Sequence, residues 1–130
     1  MTAETILIVE DNPVNQKLFI TILKQYGYRL LKAADGEEAL KIASQELPDL
    51  ILMDLQLPKM SGYMVTQLLK EQPGTQHIPV VALTAHAMPE ERDHAQQVGF
   101  SAYITKPIDT RAFPDQIRAI LTQESGGREP

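Results

Sequence analysis

The chain is 130 residues long, 43% hydrophobic and 22% charged, with a formal net charge of -5 and no cysteine. That length suits one domain burying roughly two thirds of the surface its unfolded form would expose. Without cysteine there are no disulfides, thiolate nucleophiles or Cys-based zinc sites, and the acidic balance opposes nucleic acid and anionic lipid, which both draw on clustered Lys and Arg. No apolar run approaches about 18 residues. The opening Met1-Thr2-Ala3-Glu4-Thr5 puts no basic segment ahead of an apolar one, so a cytoplasmic chain with no membrane association is expected.

Five short apolar runs alternate with five segments of helical period. Ile6 to Val9 reads as a strand closed by two acids, Glu10 and Asp11. Asn12-Pro13 then looks like a helix cap with proline in the first helical position, ahead of Val14, Leu18, Ile22 and Tyr26, which recur every four residues along an amphipathic helix. Arg29 to Ala33 is a second strand. Asp35-Gly36-Glu37-Glu38 follows with the pattern of a capping box, opening a helix striped by Ala39, Leu40, Ala43 and Leu47. Leu50 to Met53 forms the third strand and ends at Asp54. Ser61 can cap a third helix bearing Val65, Leu68 and Leu69, which Pro73 and Gly74 help to close.

Pro79 to Leu83 is the fourth strand, with Thr84 at its end. The helix near Pro89 to Val98 offers only Ala95 for burial, with Met88 and Val98 at its ends, and is expected to be the least stably packed. Ala102 to Thr105 makes a fifth strand, followed by Lys106. A last helix is expected from about Thr110 to Thr122, with Phe113, Ile117, Ile120 and Leu121 on one side and Pro114 near its first turn. Ser125 to Pro130 reads as a frayed tail, giving a domain over 1–123, a flexible tail over 124–130 and no output domain. The βα alternation specifies an α/β fold, a doubly wound parallel sheet with helices on both faces.

Ligands of such sheets bind beyond the carboxyl ends of the strands, where Glu10, Asp11, Asp54, Thr84 and Lys106 all fall. A lone Asp or Thr at a strand end is ordinary turn chemistry. Five polar residues on one edge, three of them acids that repel one another without a cation, point instead to a hard metal site.

Four segments carry a closer likeness: Ile6 to Asn12, Leu52 to Gly62, Pro79 to Ala85, and Ala102 to Pro107. Together they resemble the receiver domains of response regulators in two-component signalling, in particular those of hybrid kinases and single-domain regulators of phosphorelay and cell-cycle type. The likeness runs from Ile6 to about Leu121. It implies a flavodoxin-like five-stranded sheet in the order 2-1-3-4-5 and a single-domain regulator whose Asp54 accepts a phosphoryl group as an aspartyl phosphate. It also implies Mg²⁺ against Asp11, Asp54 and the backbone carbonyl of Gln56, with Glu10 acting directly or through water, in keeping with an ion that takes six oxygens at about 2.1 Å and keeps several waters. Lys106 would supply a fixed positive charge, and its bond to Pro107 would be cis.

By the same resemblance, Thr84 and Tyr103 form the switch: the hydroxyl bonds a phosphoryl oxygen and the ring turns into the space this leaves. Gln56 and His86 would tune phosphoryl lifetime, and small Ala85 would leave access to the site. One charge-assisted hydrogen bond, about 1.5 to 3 kcal/mol, falls short of the roughly 5.5 kcal/mol that inverts a 1:99 equilibrium, so packing of Tyr103 must contribute. Asn15, Leu18 and Pro107 would meet the phosphodonor, a sensor or hybrid histidine kinase or a histidine phosphotransfer protein. Output would be contact with a downstream protein through the fourth helix, fifth strand and fifth helix, by a monomer or a phosphorylation-dependent dimer. Such a chain is not an enzyme beyond catalysing its own phosphorylation and slow dephosphorylation.

Two other readings compete. A magnesium-dependent phosphatase of the haloacid dehalogenase type also uses an aspartate nucleophile, but carries a second acid two positions later, where this chain has Gln56. A binding module that is never phosphorylated would have no need of the full set of five polar residues.

Overall fold

The computed structural model describes residues 3–85 and 89–128, with side chains to residue 123. Five strands alternate with five helices: β1 Thr5–Val9, α1 Pro13–Lys24, β2 Arg29–Ala33, α2 Gly36–Glu46, β3 Leu50–Asp54, α3 Gly62–Glu71, β4 Val80–Thr84, α4 Pro89–Val98, β5 Ala102–Thr105 and α5 Phe113–Arg128. All strand pairs are parallel and the order is β2-β1-β3-β4-β5. The order reverses between β1 and β3, so their carboxyl ends diverge into loops on opposite faces and leave a crevice.

Period-two alternation divides the core. Leu7, Val9, Ile51, Met53, Val80 and Ala82 face α2, α3 and α4, while Ile6, Ile8, Leu50, Leu52, Val81 and Leu83 face α1 and α5. Phe19 of α1 and Phe113 of α5 meet across the second layer, ring centroids 5.5 Å apart. The three central strands are wholly buried, as near-continuous apolar runs in a parallel sheet require. No described helix is long and apolar enough to cross a membrane.

The helix starts follow the caps. Asn12 Oδ1 accepts from the amides of Val14 and Asn15 at 2.9 and 3.1 Å, with Pro13 opening α1. Asp35 accepts from the Glu38 amide at 2.8 Å, and Glu38 reaches back to the Ala34 amide at 3.1 Å, one residue earlier than an ideal capping box. Ser61 Oγ accepts from the Met64 amide at 3.3 Å. Downstream of α3, buried Thr75 donates its hydroxyl to the Leu69 carbonyl at 2.7 Å and so satisfies an end the sequence assigned only to Pro73 and Gly74.

Three helices depart from the sequence expectation. On α1 the four-residue stripe is not the main buried face: Val14 is 76% exposed, Leu18 40% and Tyr26 55%, only Ile22 of the four is half-buried against the core, and Phe19 and Leu23 enter it fully. With 3.6 residues per turn, each step of four advances about 40°, so such a stripe winds around the helix instead of staying on one side. Helix α5 begins at Phe113, after a turn in which Asp109 Oδ1 accepts from the Arg111 and Ala112 amides, and its backbone runs on to Arg128. It thus passes Leu121, the last buried apolar residue among the described side chains, because helical turns need only local hydrogen bonds, and each glycine opposes them by only about 1 kcal/mol. Leu47, expected in the α2 stripe, is the exposed left-handed residue that ends that helix.

Candidate functional site

Register brings the polar residues level. Val9 pairs with Met53, so Glu10 lies beside Asp54; Asp54 pairs with Leu83, so Thr84 stands one residue further out; Thr84 pairs with Thr105, which delivers Lys106. Backbone bonds fix each exit: the Glu10 amide donates to Ala33 O at 3.0 Å, the Leu55 amide to Leu83 O at 3.0 Å and the Lys106 amide to Thr84 O at 2.6 Å. The Lys106–Pro107 bond is cis.

Glu10 and Asp54 are almost sealed from solvent, at 1% and 4% exposure, whereas Asp11 is exposed at the mouth. Each of the three offers a carboxylate oxygen, and these oxygens lie within 4.8 Å of one another. Asp54 Oδ1 accepts from the Gln56 amide at 3.0 Å, while Oδ2 faces Lys106 Nζ at 3.2 Å. Lys106 also donates to Glu10 Oε1 at 3.0 Å, a contact the sequence did not anticipate, and Glu10 Oε2 accepts from the Asn12 amide at 3.3 Å.

These distances set the electrostatics. Burial, a hydrogen bond with Asp54 and the Asp54 charge push Glu10 up to about 7 from an ordinary 4.5, against the pull of Lys106. For Lys106, burial favours the neutral form, but the bond to Glu10 and the Asp54 charge outweigh it, so the ammonium is held above its usual range. The result is a buried acid that releases its proton reluctantly and a permanently charged lysine between two acids. An all-oxygen donor set with crowded negative charge fits a hard divalent cation.

Two residues not singled out by sequence build the frame. Gln16 Nε2, on α1, donates to the carbonyls of Glu10 at 3.2 Å and Ala33 at 3.4 Å, tying the ends of β1 and β2 together. A Cβ on Gly62 would run into the Asp54 carbonyl oxygen and lie 2.9 Å from Leu55 Cα, so only glycine lets the loop after β3 close over the strand end. A glycine in the first position of a helix, where it adds no helix stability, was the available signal for Gly62; nothing in the sequence marks Gln16.

The other expected residues fall in two places. Asn15, Leu18 and Pro107 line one groove with Phe19, Ala85, Lys106 and Ile108, about 340 Å³ in volume, next to the acids. Thr84 is buried at the end of β4; Tyr103 is half-buried on β5, with the Arg92 guanidinium 5.5 Å from its ring centre. Gln56 is exposed at the mouth. His86 lies outside the described residues.

The response regulator receiver domain model matches residues 6–118. The chain is 44% identical over 118 residues to the polar-differentiation response regulator DivK of Brucella anthropi, covering 91% of this chain and 96% of that protein, and equally identical to DivK of Brucella ovis. Among solved structures, the receiver domain of a Pseudomonas aeruginosa sensor histidine kinase, described with a magnesium ion coordinated in its active-site cleft, matches at TM-score 0.82 and 36% identity over 96% of this chain and 99% of that one. A CheY-like receiver domain protein of Methanospirillum hungatei matches at TM-score 0.89 and 26% identity, covering 97% and 99%. With its acids, threonine and lysine gathered on one edge of a 2-1-3-4-5 sheet, the chain belongs to the response regulator receiver domain family of two-component signalling.

Proposed function

We propose that Asp54 accepts a phosphoryl group from the phosphohistidine of a histidine kinase or histidine phosphotransfer protein, and that the chain works as a cytoplasmic single-domain regulator of the DivK type. One observation carries this reading: a buried Asp54 carboxylate with one oxygen on the Gln56 amide, the other 3.2 Å from Lys106 Nζ, and Glu10 and Asp11 within reach on the same edge. The length match to DivK supports the reading of 1–123 as the whole receiver unit.

A carboxylate has about four acceptor sites, so Asp54 keeps lone pairs free to attack phosphorus. The new bond joins an Asp54 oxygen to phosphorus as the bond from phosphorus to the donor imidazole breaks, and the electron pair leaves with that nitrogen. Mg²⁺, held by Glu10, Asp11, Asp54 and the Gln56 carbonyl, would neutralise charge on the phosphoryl group. Lys106 supplies a positive charge 3.2 Å from Asp54 Oδ2, where charge on the transferring group would be stabilised. Gln56, which is exposed, and His86 are the residues assigned to control the approach of water, both affecting lifetime. Asn15, Leu18 and Pro107 share the groove beside the acids, which supports their role in seating the donor. Thr84 then binds a phosphoryl oxygen, Tyr103 turns towards it, and the surface of α4, β5 and α5 changes for a downstream protein.

Asp54→Asn, which keeps the shape and removes the nucleophile, is expected to abolish phosphotransfer from histidine kinases and from acetyl phosphate. In the parent chain the label should be lost in base. A base-stable label, or full labelling of Asp54→Asn, would sink the reading.

A further inference from the structure

Helix α4 buries only Ala95 among its described side chains. Val98 at its end is half-buried against the same core, and two further contacts come from the sides: the His94 ring lies 4.5 Å from that of Tyr63 on α3, and the Arg92 guanidinium lies 5.5 Å from the centre of the Tyr103 ring on β5. Arg92, Ala95 and Gln96 face Phe100, Ser101, Ala102 and Tyr103 across a groove of about 290 Å³. Tyr103 is therefore a wall of the α4–β5 groove, and Arg92 covers its ring face.

We infer that Arg92 is a latch on Tyr103, favouring the ring's position in the α4–β5 groove over the position beside Thr84. The inference rests on the proposed pairing of Thr84 and Tyr103 as a switch. A guanidinium within about 6 Å of a ring centre is attracted to the ring's electron-rich face. It is planar and permanently charged, so it stacks in a way an ammonium does not. The structure shows the contact with the ring in the groove, and the proposed turn of the ring towards Thr84 would break it, which is the condition for a contact to shift an equilibrium. Arg92 is one of Tyr103's partners and not its whole restraint. At an exposed site such a contact biases the equilibrium about two- to fivefold, enough to set a threshold without blocking the switch.

The latch also ties the ring to the helix. When Tyr103 turns away, α4 loses a lateral attachment and keeps Ala95 and Val98 as its described apolar contacts with the core. The ring's position is thereby read out on the α4 surface.

The test uses the full chain carrying 3-fluorotyrosine, with the four tyrosine resonances followed by fluorine NMR and that of Tyr103 assigned through Tyr103→Phe. Beryllofluoride with Mg²⁺ serves as the phosphoryl mimic. In Arg92→Ala, the Tyr103 resonance without the mimic is expected to move towards its beryllofluoride-saturated position, and the titration midpoint to fall about two- to fivefold, as for any ligand whose competent state becomes more populated. Arg92→Lys should fall between Arg92→Ala and the parent, and the Tyr28 resonance, which sits by Arg118, should stay fixed and report an intact fold. An Arg92→Ala chain whose Tyr103 resonance and midpoint match the parent's overturns the latch and leaves the switch standing. A parent chain whose Tyr103 resonance ignores beryllofluoride overturns both.

Discussion

Glu10 carries a sealed carboxyl beside Asp54 and Lys106, and its proton is what pH controls in the metal-free site. Its ionisation near 7 in the fold, against an ordinary 4.5, means that between those values the native chain holds a proton the unfolded chain has released. Stability from this group is therefore complete below the lower value and lost as pH rises through the upper one. In the presence of a chelator, the thermal midpoint is expected to be lower at about pH 8 than at about pH 6, and Glu10→Gln should flatten that slope. Gly62 makes the second residue-scale case. An added methyl must displace backbone, not a flexible side chain, so Gly62→Ala is expected to lose about 1 to 3 kcal/mol in a denaturant titration. The same shift moves Asp54, so labelling by acetyl phosphate should slow as well.

Among the elements, α1 sets a core residue next to a residue proposed to meet the phosphodonor, and both line the groove beside the acids. Phe19 fills the core against Phe113, whereas Leu18 stands at the groove beside the acids. Phe19→Ala is expected to cost about 3 to 5 kcal/mol of stability. Leu18→Ala should cost less than about 1 kcal/mol, but slow phosphotransfer from a protein donor while leaving acetyl phosphate labelling unchanged. Equal loss with both donors would move Leu18 from docking to structure. The strands were readable to within a residue at each end, the three central ones because burial on both faces leaves near-continuous apolar runs, and the caps Asn12, Asp35 and Ser61 were readable because their side chains act on amides two or three residues away. The buried face of α1 was not, since two apolar faces, one for the core and one for the groove, cannot be told apart by periodicity.

At the scale of the molecule, the alternation of runs and helices limits the chain to a doubly wound sheet, and the acids that end β1 and β3 fall on the binding edge by topology alone. That is why Glu10, Asp11, Asp54, Thr84 and Lys106 were legible. The links between them were not. That Lys106 bonds Glu10 as well as Asp54, that Gln16 pins two strand ends, and that Arg92 lies over Tyr103 depend on how α1, α4 and the loops sit against the sheet, which no local pattern encodes.

The bond from Lys106 to Glu10 spans 96 positions of sequence. A chain emerging from the ribosome has displayed both ends of its acid cluster long before it makes the cation that balances them. Until β5 is added at the sheet edge, an early fragment holds acids that repel one another and no lysine beside them. On the proposed reading, competence to receive a phosphoryl group would thus arrive only with β5, the last of the described strands.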